Sequence, residues 1–140
     1  MSDLKYTIEQ EKGGIHIHAK GKTRAGLFTA ASHALFEAMK PGKFVETAEQ
    51  NQRDFKLEEE TSEALLTKLM NEGIRVAGAH KEACQEVRLN LITDKKVEGC
   101  FVGCEVTHFD HPLEGSNAAA ISVAKDDMTG EWHADIKISR

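Results

Sequence analysis

Residues 15–39, IHIHAKGKTRAGLFTAASHALFEAM, change their hydrophobic period partway along. Ile15, Ile17 and Ala19 alternate with His16, His18 and Lys20, the period of a half-buried strand, whereas from Leu27 the apolar residues fall at helical spacing. Gly21-Lys22-Thr23 lies at the change. Gly21 allows a turn that a side chain would obstruct, and the Thr23 hydroxyl can accept a hydrogen bond from a backbone N–H of the helix's first turn. The stretch therefore predicts a strand that hands over to a helix. On that helix Leu27, Ala31, Ala34, Leu35 and Ala38 form one apolar stripe with Phe28 and Met39 on or beside it, and Lys40-Pro41-Gly42 ends it.

Upstream, Leu4, Tyr6 and Ile8 alternate with polar neighbours before Glu11-Lys12-Gly13-Gly14, which predicts a hairpin with the Ile15–Ala19 strand. Downstream, Phe44-Val45 and Phe55-Lys56-Leu57 bracket the polar segment 46–53, which reads equally as an exposed strand or a loop. Thr61-Ser62-Glu63 opens a second helix with Leu65, Leu66, Leu69, Met70 and Ile74 on its buried side; Gly73 and Gly78 predict fraying or a bend late in it. From Ala83 the chain reads as sheet: Val87, Leu89 and Leu91 alternate, 97–105 is rich in Gly and Cys, and 118–123 and 132–138 alternate again. Gly99, Gly103 and Gly115 mark bends or bulges, and Met128-Thr129-Gly130 a hairpin turn. The sum is an α+β class: a mixed or antiparallel sheet with two helices packed on one face, in a single domain spanning 1–140.

The formal net charge of −5 disfavours a protein that holds a phosphate backbone by its overall field, so little direct nucleic-acid binding is expected. The three cysteines are an odd number, Met1-Ser2-Asp3-Leu4-Lys5 lacks the layout of a signal peptide, and no apolar run approaches the ~20 residues of a membrane span. A reducing cytoplasm and no membrane are the expectation.

Two constellations could carry chemistry. His16 and His18 share one face of a strand, a spacing at which two imidazoles can share a metal; the same alternation also reads as two solvent-facing residues opposite an Ile/Ala face. His108, Asp110 and His111 sit in a loop-like stretch ending at Pro112, where imidazole and carboxylate together could bind a metal or move a proton, or Asp110 could simply cap the turn. They define a metal-dependent or acid–base enzyme as the alternative function. His33 and His80 have no identifiable partner in the sequence. Cys100 and Cys104, four apart on one strand face, read as small buried residues rather than a closely spaced thiolate pair. Gly21-Lys22-Thr23 lacks the upstream glycine of a phosphate-binding loop, since position 16 is His.

Ile15-x-Ile17-x-Ala19-x-Gly21-Lys22-Thr23, followed by Leu27-Phe28, Ala30-Ala31, Ala34-Leu35-Phe36 and Met39, resembles the strand, turn and first helix of the archease family. Leu65-Leu66 and Leu69-Met70-Asn71-Glu72 are similar to its second helix, Val106-Thr107 to the strand before its Tyr-His, and Trp132-x-Ala134-x-Ile136 to its final strand. The resemblance implies an archease-like fold and a non-enzymatic accessory protein that assists an RNA-processing enzyme, a tRNA-splicing RNA ligase or a tRNA methyltransferase. It also implies a divalent-metal site built on two aspartates. Registered on Gly21 and Trp132, those positions hold Gly14 and Ser139, so the carboxylate ligands of a hard cation are missing there. A shifted register would offer Glu9 or Glu11 on one side and Asp135 on the other; Asp135 points away from the face of Ala134 and Ile136.

Overall fold

The computed structural model describes residues 5–39, 51–105 and 115–139. β1 (Lys5–Glu11) and β2 (Gly14–Gly21) form the expected hairpin, antiparallel with Ile8 opposite Ile17; Gly13 takes the left-handed conformation at φ 85° in the turn. β2 then runs into α1 (Arg24–Met39). Thr23 caps that helix: its Oγ1 accepts from the Gly26 N–H at 3.0 Å and its carbonyl from the Leu27 N–H at 2.9 Å. Gly21 is needed for space. A Cβ there would collide with the backbone of Gly26 and Leu27, so the missing side chain lets the first turn of α1 settle directly on the end of β2.

The remaining elements are β3 (Asn51–Glu58), α2 (Ser62–His80), β4 (Glu82–Ile92), β5 (Lys96–Glu105), β6 (Gly115–Lys125) and β7 (Trp132–Ser139). The α+β expectation is met with two antiparallel sheets in place of one, ordered β1-β2-β7-β6 and β3-β5-β4. Each helix packs against strands of both sheets, α1 chiefly on β2 and β4 and α2 on β6 with β3, β4 and β5. That placement explains why α1 is buried on more than its predicted stripe: Ala30, Ser32 and Phe36 are buried beside Leu27, Phe28, Ala31, Ala34 and Leu35. A helix covered on several sides must be apolar or small nearly all round. Ser32, a hydroxyl in that interior, donates to the Phe28 carbonyl at 2.9 Å, so its own donor is paired.

The first sheet supplies Ile15, Ile17, Ala19, Ala134, Ile136 and Ile138 to the core. From the second, Phe101 on β5 meets Phe36 of α1 edge-on at 5.5 Å and Phe55 of β3 at 4.7 Å. The polar segment left open in the sequence is strand from Asn51 onward. β4 carries irregular pairing between Cys84 and Glu86 and between Leu89 and Leu91; Gly103 and Gly99 lie opposite on β5, so these glycines face bulges in the neighbouring strand.

α2 starts as expected, with Thr61 Oγ1 accepting from the Ala64 N–H at 3.1 Å. The expected interruption at Gly73 and Gly78 does not occur, and the helix continues to His80 and ends at Lys81, whose φ of 51° is left-handed. At Gly73 the reason is packing. A Cβ there would lie 3.1 Å from both Leu35 Cδ2 and Phe36 Cζ, so the glycine is where α2 presses on α1, and the contact offsets a propensity cost of roughly 1 kcal/mol. Among the described residues no helix is long and apolar enough to cross a membrane.

β3 and β4, at opposite edges of the second sheet, are tied by one buried carboxylate. Glu82 accepts from Arg53 Nε at 2.9 Å and Arg53 Nη2 at 3.0 Å, and the Asn51 amide donates to the same group. Chiefly through the Arg53 hydrogen bonds, the Glu82 carboxyl is held below the ordinary glutamate range despite its burial.

Candidate functional site on the outer face of the first sheet

Strand alternation that sends Ile15, Ile17 and Ala19 inward sends His16, His18 and Lys20 outward, and on β7 it does the same for His133, Asp135 and Lys137 between Ala134, Ile136 and Ile138. The pairing sets Lys20 opposite His133, His18 opposite Asp135, His16 opposite Lys137 and Gly14 opposite Ser139. On the far side of β2, Lys5 faces Lys20, Glu9 faces His16 and Glu11 faces Gly14.

Asp135 is the centre of this face. Its Oδ1 lies 2.9 Å from His18 Nδ1 and 3.3 Å from His16 Nε2, so two imidazoles converge on one carboxylate oxygen. Glu9 Oε2 lies 4.0 Å from the other side of the His16 ring, and the His133 ring is tilted against that of His18 at 5.7 Å between centroids. The His18 hydrogen bond foremost, opposed by partial desolvation and reinforced by His16, holds the Asp135 carboxyl below the usual aspartate range. Such a group keeps a negative charge at neutral pH beside two imidazoles.

The two positions that the archease resemblance assigns to aspartates are therefore direct cross-strand neighbours, Gly14 beside Ser139, on the face that also bears His16, His18 and Asp135. Glycine offers no side-chain ligand. Glu11 is the carboxylate opposite Gly14, while Asp135 lies four residues along β7 from Ser139, roughly 13 Å at strand rise. Among the described residues no group of three or more His, Cys, Asp or Glu is placed to hold a metal ion. The residues present do not fit a hard divalent cation at the Gly14–Ser139 pair.

The sequence placed His16 and His18 on one face, and they are there; it missed that Asp135 joins them. The signal was available, because Asp135 alternates away from Ala134 and Ile136 just as His16 and His18 alternate away from Ile15, Ile17 and Ala19. Only the pairing of β2 with β7, a contact across 117 residues, was absent from the text. His108, Asp110 and His111 lie outside the described residues. His80 is the last residue of α2. His33 is half-buried on α1, where desolvation lowers its pKa against the opposing fields of Glu86 and Glu37. Cys100 and Cys104 are buried, as the spacing predicted. The Cys84 thiol donates to the Glu86 carbonyl at 3.0 Å and is pushed up to about 12 by burial, so it is no ready nucleophile.

The described residues thus form two antiparallel sheets bridged by two helices, with a histidine–aspartate cluster on the outer face of the first sheet, an α+β fold of the archease class. The archease protein family (MTH1598/TM1083) matches residues 6–131, and the chain belongs to that family. The match ends just before β7 begins at Trp132. The solution structure of Methanobacterium thermoautotrophicum protein 1598 is similar with a TM-score of 0.69 at 17% identity, over 100% of both chains. A crystal structure of an archease from Thermotoga maritima, described as a possible chaperone, is similar with a TM-score of 0.66 at 14% identity, over 94% of each chain. At these identities the two structures speak for the fold alone. No curated protein matches the chain.

Proposed function

We propose that this chain is a non-catalytic accessory protein that binds an RNA-processing enzyme, a tRNA-splicing RNA ligase or a tRNA methyltransferase, and raises its activity or stability. The observation that carries this reading is membership of the archease family across residues 6–131, with the family's fold built around the same strand, Gly-Lys-Thr turn and helix. The net charge of −5 suits a protein partner with a basic surface better than RNA itself. With Gly14 and Ser139 at the paired positions, the assistance does not run through a carboxylate pair there; the Asp135–His16–His18 cluster is the polar feature of that face available to a partner.

The test is to add the purified chain to the host's RNA ligase acting on cyclic-phosphate ends, and in parallel to its tRNA methyltransferases. Faster turnover or slower heat inactivation of one of them, with co-purification at low salt, is the expected result. If the chain retains no RNA-processing enzyme and leaves every such rate and half-life unchanged, the reading is wrong.

A further inference from the structure

Where β2 hands over to α1, the outer face changes character. Lys5 and Lys20 are cross-strand partners on β1 and β2, so their side chains rise side by side, and Lys22 follows in the turn. With Gly21 and Glu131 these three line a cavity of about 70 Å³. None of the three ammonium groups makes a hydrogen bond or ion pair with a described residue, although elsewhere Arg53, Lys68, Arg75, Arg88 and Lys96 each hold a carboxylate. Like charges directly across a strand pair oppose the pairing, and in a chain of net charge −5 their convergence is not a consequence of composition.

What lies behind them has the same sign. The first turn of α1 carries no acid, and its N-terminus adds the positive end of a helix dipole. The Arg24 guanidinium stacks on Trp132 at 4.6 Å with its Nε buried and unpaired among the described residues, and Lys125 Nζ lies 5.7 Å from the same ring. Trp132 is itself the cross-strand partner of Gly21 in the cavity wall. Glu131 is the one acid of the wall, and its Oε1 is taken up by His133 Nε2 at 3.4 Å.

We propose that Lys5, Lys20 and Lys22 form a binding site for a single phosphate group. A cavity of about 70 Å³, the liquid volume of roughly two waters, has room for one tetrahedral oxyanion. Three flexible ammonium donors suit such an ion as point charges around a centre. The group comes either as a free phosphate or as the terminal phosphate of a nucleotide or oligonucleotide. The site does not depend on the partner reading above.

Isothermal titration calorimetry reads binding without relying on a reporter side chain. The protein is titrated with sodium phosphate against sodium chloride at matched ionic strength, then with an oligonucleotide bearing a 5′-phosphate and with its 5′-hydroxyl counterpart. A saturable response to phosphate and none to chloride is expected. Lys20→Gln and Lys22→Gln each weaken it by at least about tenfold, since each removes a hydrogen bond to a charged group. Lys137→Gln, on the same sheet face but outside the cavity, leaves it unchanged, and all three variants keep the wild-type melting temperature in chloride. Tighter binding of the phosphorylated oligonucleotide than of free phosphate names a nucleic-acid end as the source; equal affinity names the phosphate group alone. No saturable response to phosphate, or Lys20→Gln and Lys22→Gln variants that bind as wild type, overturns the proposal.

Discussion

Replacing Gly21 by alanine tests the junction on which the fold turns. A Cβ at this position points into the backbone of Gly26 and Leu27, at separations no packed structure tolerates, and backbone cannot rotate away as the tip of a side chain can. Either α1 lifts off β2 or the end of β2 twists out of its pairing with Trp132 on β7. Overpacking of this kind costs about 1–3 kcal/mol. Against it stands the loss of glycine's freedom in the unfolded chain, which favours alanine by about 0.4–1 kcal/mol. The net destabilisation is about 1.3 kcal/mol, and with an unfolding entropy of roughly 2.1 cal/mol/K per residue it lowers the melting temperature by about 4 °C. Gly78→Ala is the internal control. Gly78 lies within α2, where a Cβ meets nothing within 4 Å, so the helix-propensity gain stands alone and stabilises by roughly 0.8–1 kcal/mol, an upward shift of about 3 °C. Thermal melts of both variants by far-ultraviolet circular dichroism decide the matter. A Gly21→Ala protein that melts at or above the wild-type temperature would refute the close-approach argument, and opposite signs for the two glycines are its positive signature.

Glu82→Gln removes the charge that ties β3 to β4 and weakens three hydrogen bonds; with Arg53 partly solvated the loss is about 2 kcal/mol, read from the midpoint of urea unfolding. Because the folded Glu82 carboxyl titrates below its unfolded value, its contribution is present above about pH 4.3 and is lost as pH falls through the lower folded value. Wild type should therefore lose stability on acidification through that window faster than the Gln variant, and parallel curves would remove Glu82 from the account. Thr61→Ala deletes the α2 cap at the Ala64 N–H and costs about 1 kcal/mol in the same unfolding assay; no change would mean that water or Ser62 replaces it.

Local signals were legible wherever one residue type had one physical use. Thr23 and Thr61 both cap as their positions before apolar periodic runs required, and the Ile15–Ala19 alternation named the inward residues of β2. Two features misled because their cause is tertiary. Gly73 reads as a helix breaker in one dimension, whereas in three it is the point of closest approach to Leu35 and Phe36. The breadth of burial on α1 was hidden in the same way: Ala30 and Ser32 lie off the predicted stripe, and only a second sheet on the far side gives them a reason to be small. Nothing local announces that the strands divide into two sheets, because each strand shows the same period of two whichever sheet it joins.

That period also explains how the fold and the site can part company. Ile15, Ile17, Ala19, Ala134, Ile136 and Ile138 lie on the inner face of β2 and β7 and carry the packing against α1; Gly14, His16, His18, His133, Asp135 and Ser139 occupy the alternate positions. At the start of β2, Gly14 is buried although it falls among these alternate positions, where it pairs with Ser139. An Asp at 135 and His at 16 and 18 can gather on the outer face without disturbing a single core contact. The packing of β2 and β7 against the helices rests on the inner face, while any capacity of the outer face is set by the residues in between. Any contribution of this outer face is therefore tested at Asp135 with its two histidines and at the lysines of the β2–α1 junction, separately from the fold that presents them.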